Sequence, residues 1–117
     1  MSPAQPPAGD EPPAPELGVR EFQRRIEAIY FQKDAARGAM STFAWFVEEV
    51  GELSRALRRG ERQNLEEEFG DCLAWLVSLA SIAQVDMARA AEKYARGCPR
   101  CHATPCACGA RREACAE

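Results

Sequence analysis

The chain lacks any stretch in which polar and apolar residues alternate over strand length, and no Asn-Gly or Asp-Gly turn joins two apolar runs. A β-sheet is therefore not expected. No apolar run approaches the roughly 20 residues needed to cross a bilayer, which argues against a membrane span. The first fifteen residues have neither a basic region nor an apolar core, so no secretory signal is read in them. The 15 Lys and Arg are dispersed among 18 acids, for a net charge of -3, and form no basic stripe. Nucleic acid is thus not an expected partner. No internal repeat is present. A cytoplasmic protein acting on, or binding, something small is the default.

Most of the prolines fall within residues 1–16, a stretch with few large apolar side chains, read as a disordered leader. Residues 17–97 support one small domain. Its core is marginal alone, because small domains bury a lower fraction of their surface, so self-association or a metal staple is expected. Within it, Phe22, Ile26, Ile29 and Tyr30 recur at helical spacing, up to a stop at Arg37-Gly38. A second helix is predicted from an N-cap at Ser41 or Thr42 to Arg59-Gly60, with Phe43, Phe46, Val47, Val50, Leu53 and Leu57 as its core face. A third runs from near Asn64 to Ala83 and turns Phe69, Leu73, Leu76, Val77 and Ala80 inward. Asp86 caps a short fourth, from Met87 to Arg96. The fold class is all-α: a small bundle of three main helices plus a short fourth, completed by homo-oligomerisation.

Two acidic clusters, Glu48-Glu49-Val-Gly-Glu52 and Glu66-Glu67-Glu68-Phe-Gly-Asp71, lie on the second and third helices. On a helical wheel Glu49 and Glu52 share one side of the second helix, and Glu68 and Asp71 one side of the third. Carboxylates gathered on one spot repel one another unless a cation neutralises them, so the pattern points to a divalent metal, Mg²⁺, and a phosphate-bearing substrate. The plainer alternative is a solvated acidic face. Glu61, Glu66 and Glu67 fit it, and Glu52 has Arg55 as a helical partner, but Asp71 has no helical cation nearby. Trp45 and Trp75 fall on the acidic sides of their helices, where an indole could stack on a nucleobase as well as pack in a core or subunit contact. Leu79 and Ile82 make the end of the third helix apolar nearly all round, which asks for a second neighbour, expected to be another protomer.

Five of the six cysteines lie in the last twenty residues; only Cys72 belongs to the helical body. Cys98-x2-Cys101 and Cys106-x-Cys108, four residues apart, could close a structural Zn²⁺ knuckle over residues 98–108, with reduced thiols on a flexible tail as the alternative. Cys115 has no evident partner, and residues 109–117 read as a disordered tail.

Trp45-Phe-Val-Glu-Glu-Val-Gly-Glu-Leu, followed after a short turn by Glu68-Phe-Gly-Asp71-Cys-Leu-Ala-Trp, resembles the MazG-like nucleoside triphosphate pyrophosphohydrolases. Their signature is Glu-Glu-x-x-Glu, a spacer, then Glu-x-x-Asp. The resemblance implies an all-α fold whose helices associate as homodimers or homotetramers, and Mg²⁺, with Mn²⁺ a possible substitute, held by Glu49, Glu52, Glu68 and Asp71. It also implies hydrolysis of a nucleoside triphosphate to the monophosphate and pyrophosphate, as in nucleotide-pool house-cleaning. Glu48 would ligate from the edge or orient the attacking water. Relatives carry a pattern like Asn-x-Lys-Phe after the acids; Ala91-Glu92-Lys93-Tyr94 keeps the lysine, assigned to phosphate, but has Ala in place of Asn. Trp45 and Trp75 would meet the base. Two other functions stay open at this level: phosphoribosyl-ATP pyrophosphohydrolase, which shares fold and chemistry, and a non-catalytic, zinc-stapled helical interaction module.

Overall fold

The computed structural model describes residues 12–109; most of the expected leader and, from Ala110, the end of the expected tail with Cys115 lie outside the described residues. Residues 12–18 are exposed and carry no helix. The chain then forms α1 (Val19–Arg37), α2 (Ala39–Arg59), α3 (Arg62–Ile82) and the short α4 (Met87–Ala91), continued by a 3₁₀ turn, Glu92–Tyr94. There is no strand among the described residues, so the all-α expectation holds.

One residue separates α1 from α2. Gly38, at φ +87°, donates its N–H to the Asp34 carbonyl (3.0 Å) and accepts from the Thr42 N–H (3.0 Å), so it ends one helix and begins the next. The start expected at Ser41 or Thr42 therefore moves back to Ala39, and no side chain caps α2. Gly60 closes α2 in the left-handed region, its N–H on the Ala56 carbonyl at 2.9 Å. Because α3 begins at Arg62, two residues before Asn64, Glu66 to Glu68 sit beyond its first turn, where the helix dipole favours them little. The Val85 N–H reaches back to the Ala80 carbonyl (2.8 Å) past a left-handed Gln84, a Schellman-type stop for α3. Asp86 caps α4 as expected, accepting from the Ala88 N–H at 2.9 Å, but α4 gives way to the 3₁₀ turn after Ala91, short of the predicted Arg96.

α3 is the central helix, packed along both α1 and α2, which meet each other only lightly. Buried Gln23 of α1 fastens the far end of α3. Its amide donates to Ser81 Oγ (3.1 Å) and the Val85 carbonyl (2.8 Å) and accepts from the Met87 N–H (2.8 Å), which satisfies a polar side chain inside the bundle.

The inward face of α2 differs from the one expected. The residues turned to α3 are Thr42, Phe46, Glu49, Leu53 and Ala56, a stripe of alternating four- and three-residue steps, with Thr42 and Ala56 fully buried. Of the expected core residues, Phe43, Val47, Val50 and Leu57 of α2, Phe69 and Leu73 of α3, and Ile29 and Tyr30 of α1 are exposed instead. Thr42 and Ala56 are small and wholly enclosed, so this side of α2 packs within the bundle and the bulkier apolar flank is left facing outward.

Candidate active site

Midway along the α2–α3 seam, Glu49 faces Glu68 and Asp71, which are one turn apart on α3. One carboxylate oxygen from each of the three lies within 4.8 Å of the others. Glu68 Oε2 is buried and has no hydrogen-bond partner among the described residues. Burial pushes the Glu49 carboxyl above its ordinary value, and the charges of Asp71 and Glu68, a side-chain hydrogen bond with Glu68 and then the charge of Glu52 push it further. The same field reaches Cys72, whose thiol is raised by burial first and then by Glu49, Glu68 and Asp71. A lone buried carboxylate oxygen beside two repelling acids is a set of hard oxygen donors short of positive charge, which fits Mg²⁺ or Mn²⁺.

Glu52, expected as a fourth ligand, is not in that trio. Its carboxylate is paired with Arg55 on the same helix, both about half exposed, although it stays near enough to raise Glu49. Glu48 is exposed on the adjoining side of α2. The two tryptophans are brought together: Trp45 and Trp75 stack with ring centroids 6.0 Å apart and planes 13° from parallel, and Trp45 remains 51% exposed. Lys93 is exposed on the 3₁₀ turn with its ammonium 5.2 Å from the Tyr94 ring, and among the described residues it has no hydrogen bond or ion pair to the acids.

Residues 37–102, more than half of the chain, match the family model of the MazG nucleotide pyrophosphohydrolase domain. The chain belongs to the MazG family. No curated protein matches it. The match takes in α2, α3, α4 and the first two tail cysteines, and leaves all of α1 but its last residue outside. Membership in the MazG family carries nucleotide pyrophosphohydrolase chemistry in general, and MazG proteins are typically metal-dependent. No single helix among the described residues is long and apolar enough to cross a membrane.

Two residues beside the tryptophan pair were not singled out by helical spacing. Arg37 lies over the face of Trp75, 5.0 Å from the ring centre, and is held there by buried Asp34 at 2.8 Å. In the sequence, Arg37 reads only as a basic residue in the last turn of a helix; the signal was its i, i+3 relation to Asp34 just before Gly38.

The raised Glu49 carboxyl sets the pH response of the metal-free protein. Between the ordinary value of 4.5 and its raised value the native state holds a proton that the unfolded chain has released. Stability from this group is therefore full below 4.5 and is lost as pH rises through the raised value. In EDTA the thermal midpoint of wild type should fall across that window relative to Glu49→Gln. Parallel pH curves for the two proteins would refute the assignment.

The tail cysteines also converge. The sulfurs of Cys98, Cys101, Cys106 and Cys108 all lie within 4.8 Å of one another, and none is in a disulfide. The backbone N–H groups of Cys101 and Arg100 hold the Cys98 thiol down at about 6, and those of Ala107 and Ala103 lower Cys101.

Proposed function

We propose that this MazG-family chain is a Mg²⁺-dependent enzyme that hydrolyses nucleoside triphosphates, ribo- or deoxy-, to the monophosphate and pyrophosphate. The observation that carries this is the unpartnered, buried Glu68 Oε2 within the Glu49–Glu68–Asp71 trio. Those three acids hold the cation. Glu52 joins them by leaving Arg55, at little expense, since an exposed ion pair of this kind contributes no more than about 1 kcal/mol. A Mg²⁺ held by these carboxylates would supply charge neutralisation for the triphosphate and a more acidic bound water. Glu48, next to Glu49 on α2 and in no ion pair among the described residues, would orient that water and accept its proton. Lys93 is assigned to phosphate.

The Trp45–Trp75 pair supplies the base site, with Arg37 lying over the Trp75 ring. Since Trp75 is thus supported and Trp45 is exposed, Trp45 is the ring that moves to admit a base. Trp45→Ala should raise KM up to about tenfold, the scale of one lost stacking contact, with a smaller change in kcat. Unchanged KM would place the base elsewhere.

The enzyme acts as a homodimer or homotetramer in the cytoplasm, where nucleotides are plentiful and thiols stay reduced. The unpaired apolar flank of α2 and α3 supports self-association. The test of function is pyrophosphate release from a panel of nucleoside triphosphates and phosphoribosyl-ATP, in Mg²⁺ or EDTA. Mg²⁺-dependent release from a nucleoside triphosphate is the expected result. Turnover of phosphoribosyl-ATP alone would reassign the substrate, and no turnover with no Mg²⁺ binding would leave a helical interaction module.

A further inference from the structure

We propose that Cys98, Cys101, Cys106 and Cys108 hold one structural Zn²⁺ in a closed four-thiolate site, chemically separate from the carboxylate site and not exchanging metal with it.

The geometry is that of a tetrahedron's edges. A zinc–sulfur bond of about 2.3 Å requires sulfurs about 3.8 Å apart. Cys98 and Cys108 lie 3.7 Å apart, and Cys101 and Cys106 3.9 Å, two opposite edges that share no residue. A disulfide would bring sulfurs to about 2.05 Å, so these pairs are spaced for a common ligand rather than for bonding to each other. All four sulfurs fall inside one 4.8 Å cluster, so the remaining edges close as well.

The backbone is arranged around the sulfurs. The N–H of Ala107 points at Cys101 Sγ and that of Cys108 at Cys106 Sγ, each at 3.3 Å, the outer hydrogen bonds that steady thiolate ligands. The Cys98–Cys101 limb is a tight turn: the His102 N–H bonds to the Cys98 carbonyl (2.8 Å), and the Cys98 N–H to the Ala103 carbonyl (3.1 Å). Gly97 makes the close approach possible. At φ +108° a Cβ there would lie 2.7 Å from Thr104 Oγ1 and 2.9 Å from the Ala103 carbonyl oxygen. His102 is exposed and is not among the converging groups, so a thiol-only set remains. With four protein ligands no position is left for water or substrate, which makes the site structural rather than catalytic.

Donor chemistry separates the two metals: thiolates select zinc, while carboxylates suit Mg²⁺ and Mn²⁺. Residues 98–108 contain no regular secondary structure and little apolar surface to bury, so their order should depend on the metal, whereas the bundle's should not.

The experiment is metal analysis of the full chain, purified under reducing conditions, loaded with Zn²⁺ and passed through gel filtration. One zinc per chain is expected in wild type and in Asp71→Asn, and at least tenfold less in Cys101→Ser, with helical circular dichroism unchanged in every case. Chelation should speed amide exchange in residues 98–108 and leave α2 and α3 as they were. Zinc absent from wild type, zinc lost with Asp71→Asn but kept by Cys101→Ser, or iron in place of zinc would each overturn the proposal. Should Cys101→Ser fail to fold, cobalt loading of wild type decides: the intense visible bands of a tetrahedral thiolate site support it, and their absence refutes it.

Discussion

Asp71→Asn should lower Mg²⁺-dependent pyrophosphate release by more than about 100-fold. Even outer-shell partners of a metal ligand are worth about 10- to 100-fold, so removing a charged ligand must do at least as much. The companion effect has the opposite sign. Asp71 supplies the largest charge that raises Glu49, so its neutralisation relieves repulsion in the seam, and the metal-free variant should melt above metal-free wild type. Loss of activity through misfolding would lower both quantities. Calorimetry in EDTA beside the pyrophosphate assay therefore separates a missing ligand from a damaged fold. A variant that keeps its rate would remove Asp71 from the site.

Val47→Asp should dissociate the proposed homo-oligomer while leaving the helices intact. Phe43, Val47, Val50, Leu57, Phe69 and Leu73 lie between 43% and 57% exposed, too much large apolar surface for a small domain to leave in water. They flank, rather than form, the α2–α3 seam. In a two-fold dimer each substitution acts twice. Losing burial of about 1.5–3 kcal/mol per valine, before any penalty for the new charge, weakens association by about 10²–10⁴-fold. Sedimentation of wild type and variant across a concentration series reads this directly. A monomeric wild type, or a variant of unchanged mass, would mean that something other than a second copy covers this face.

These two expectations also mark what the sequence could and could not disclose. Helix number and order were legible because glycine stops and helical spacing are local signals, and the convergence of Glu49, Glu68 and Asp71 followed from one-turn spacing on successive helices. Helix rotation was not. A wheel ranks residues by polarity and so turned Phe43, Val47 and Leu57 inward; it cannot tell a face packed against the chain's own next helix from one that needs another chain. The residues that mark the packed face are the small ones, Thr42 and Ala56, which add little to a polarity count yet are wholly buried. Arg37 escaped for a related reason, since its partner Trp75 is far away in sequence. For Glu52, spacing allowed both a metal and Arg55, and the ion-free side chain takes the nearer cation.

The stacked indoles have an optical consequence. Two chromophores 6.0 Å apart and nearly parallel do not absorb independently; their excited states couple and split, and the coupling decays steeply with separation. The proposed base site would therefore report its own opening: a guest that wedges between Trp45 and Trp75 cancels an exciton signal, while one that settles on the outer ring leaves it standing.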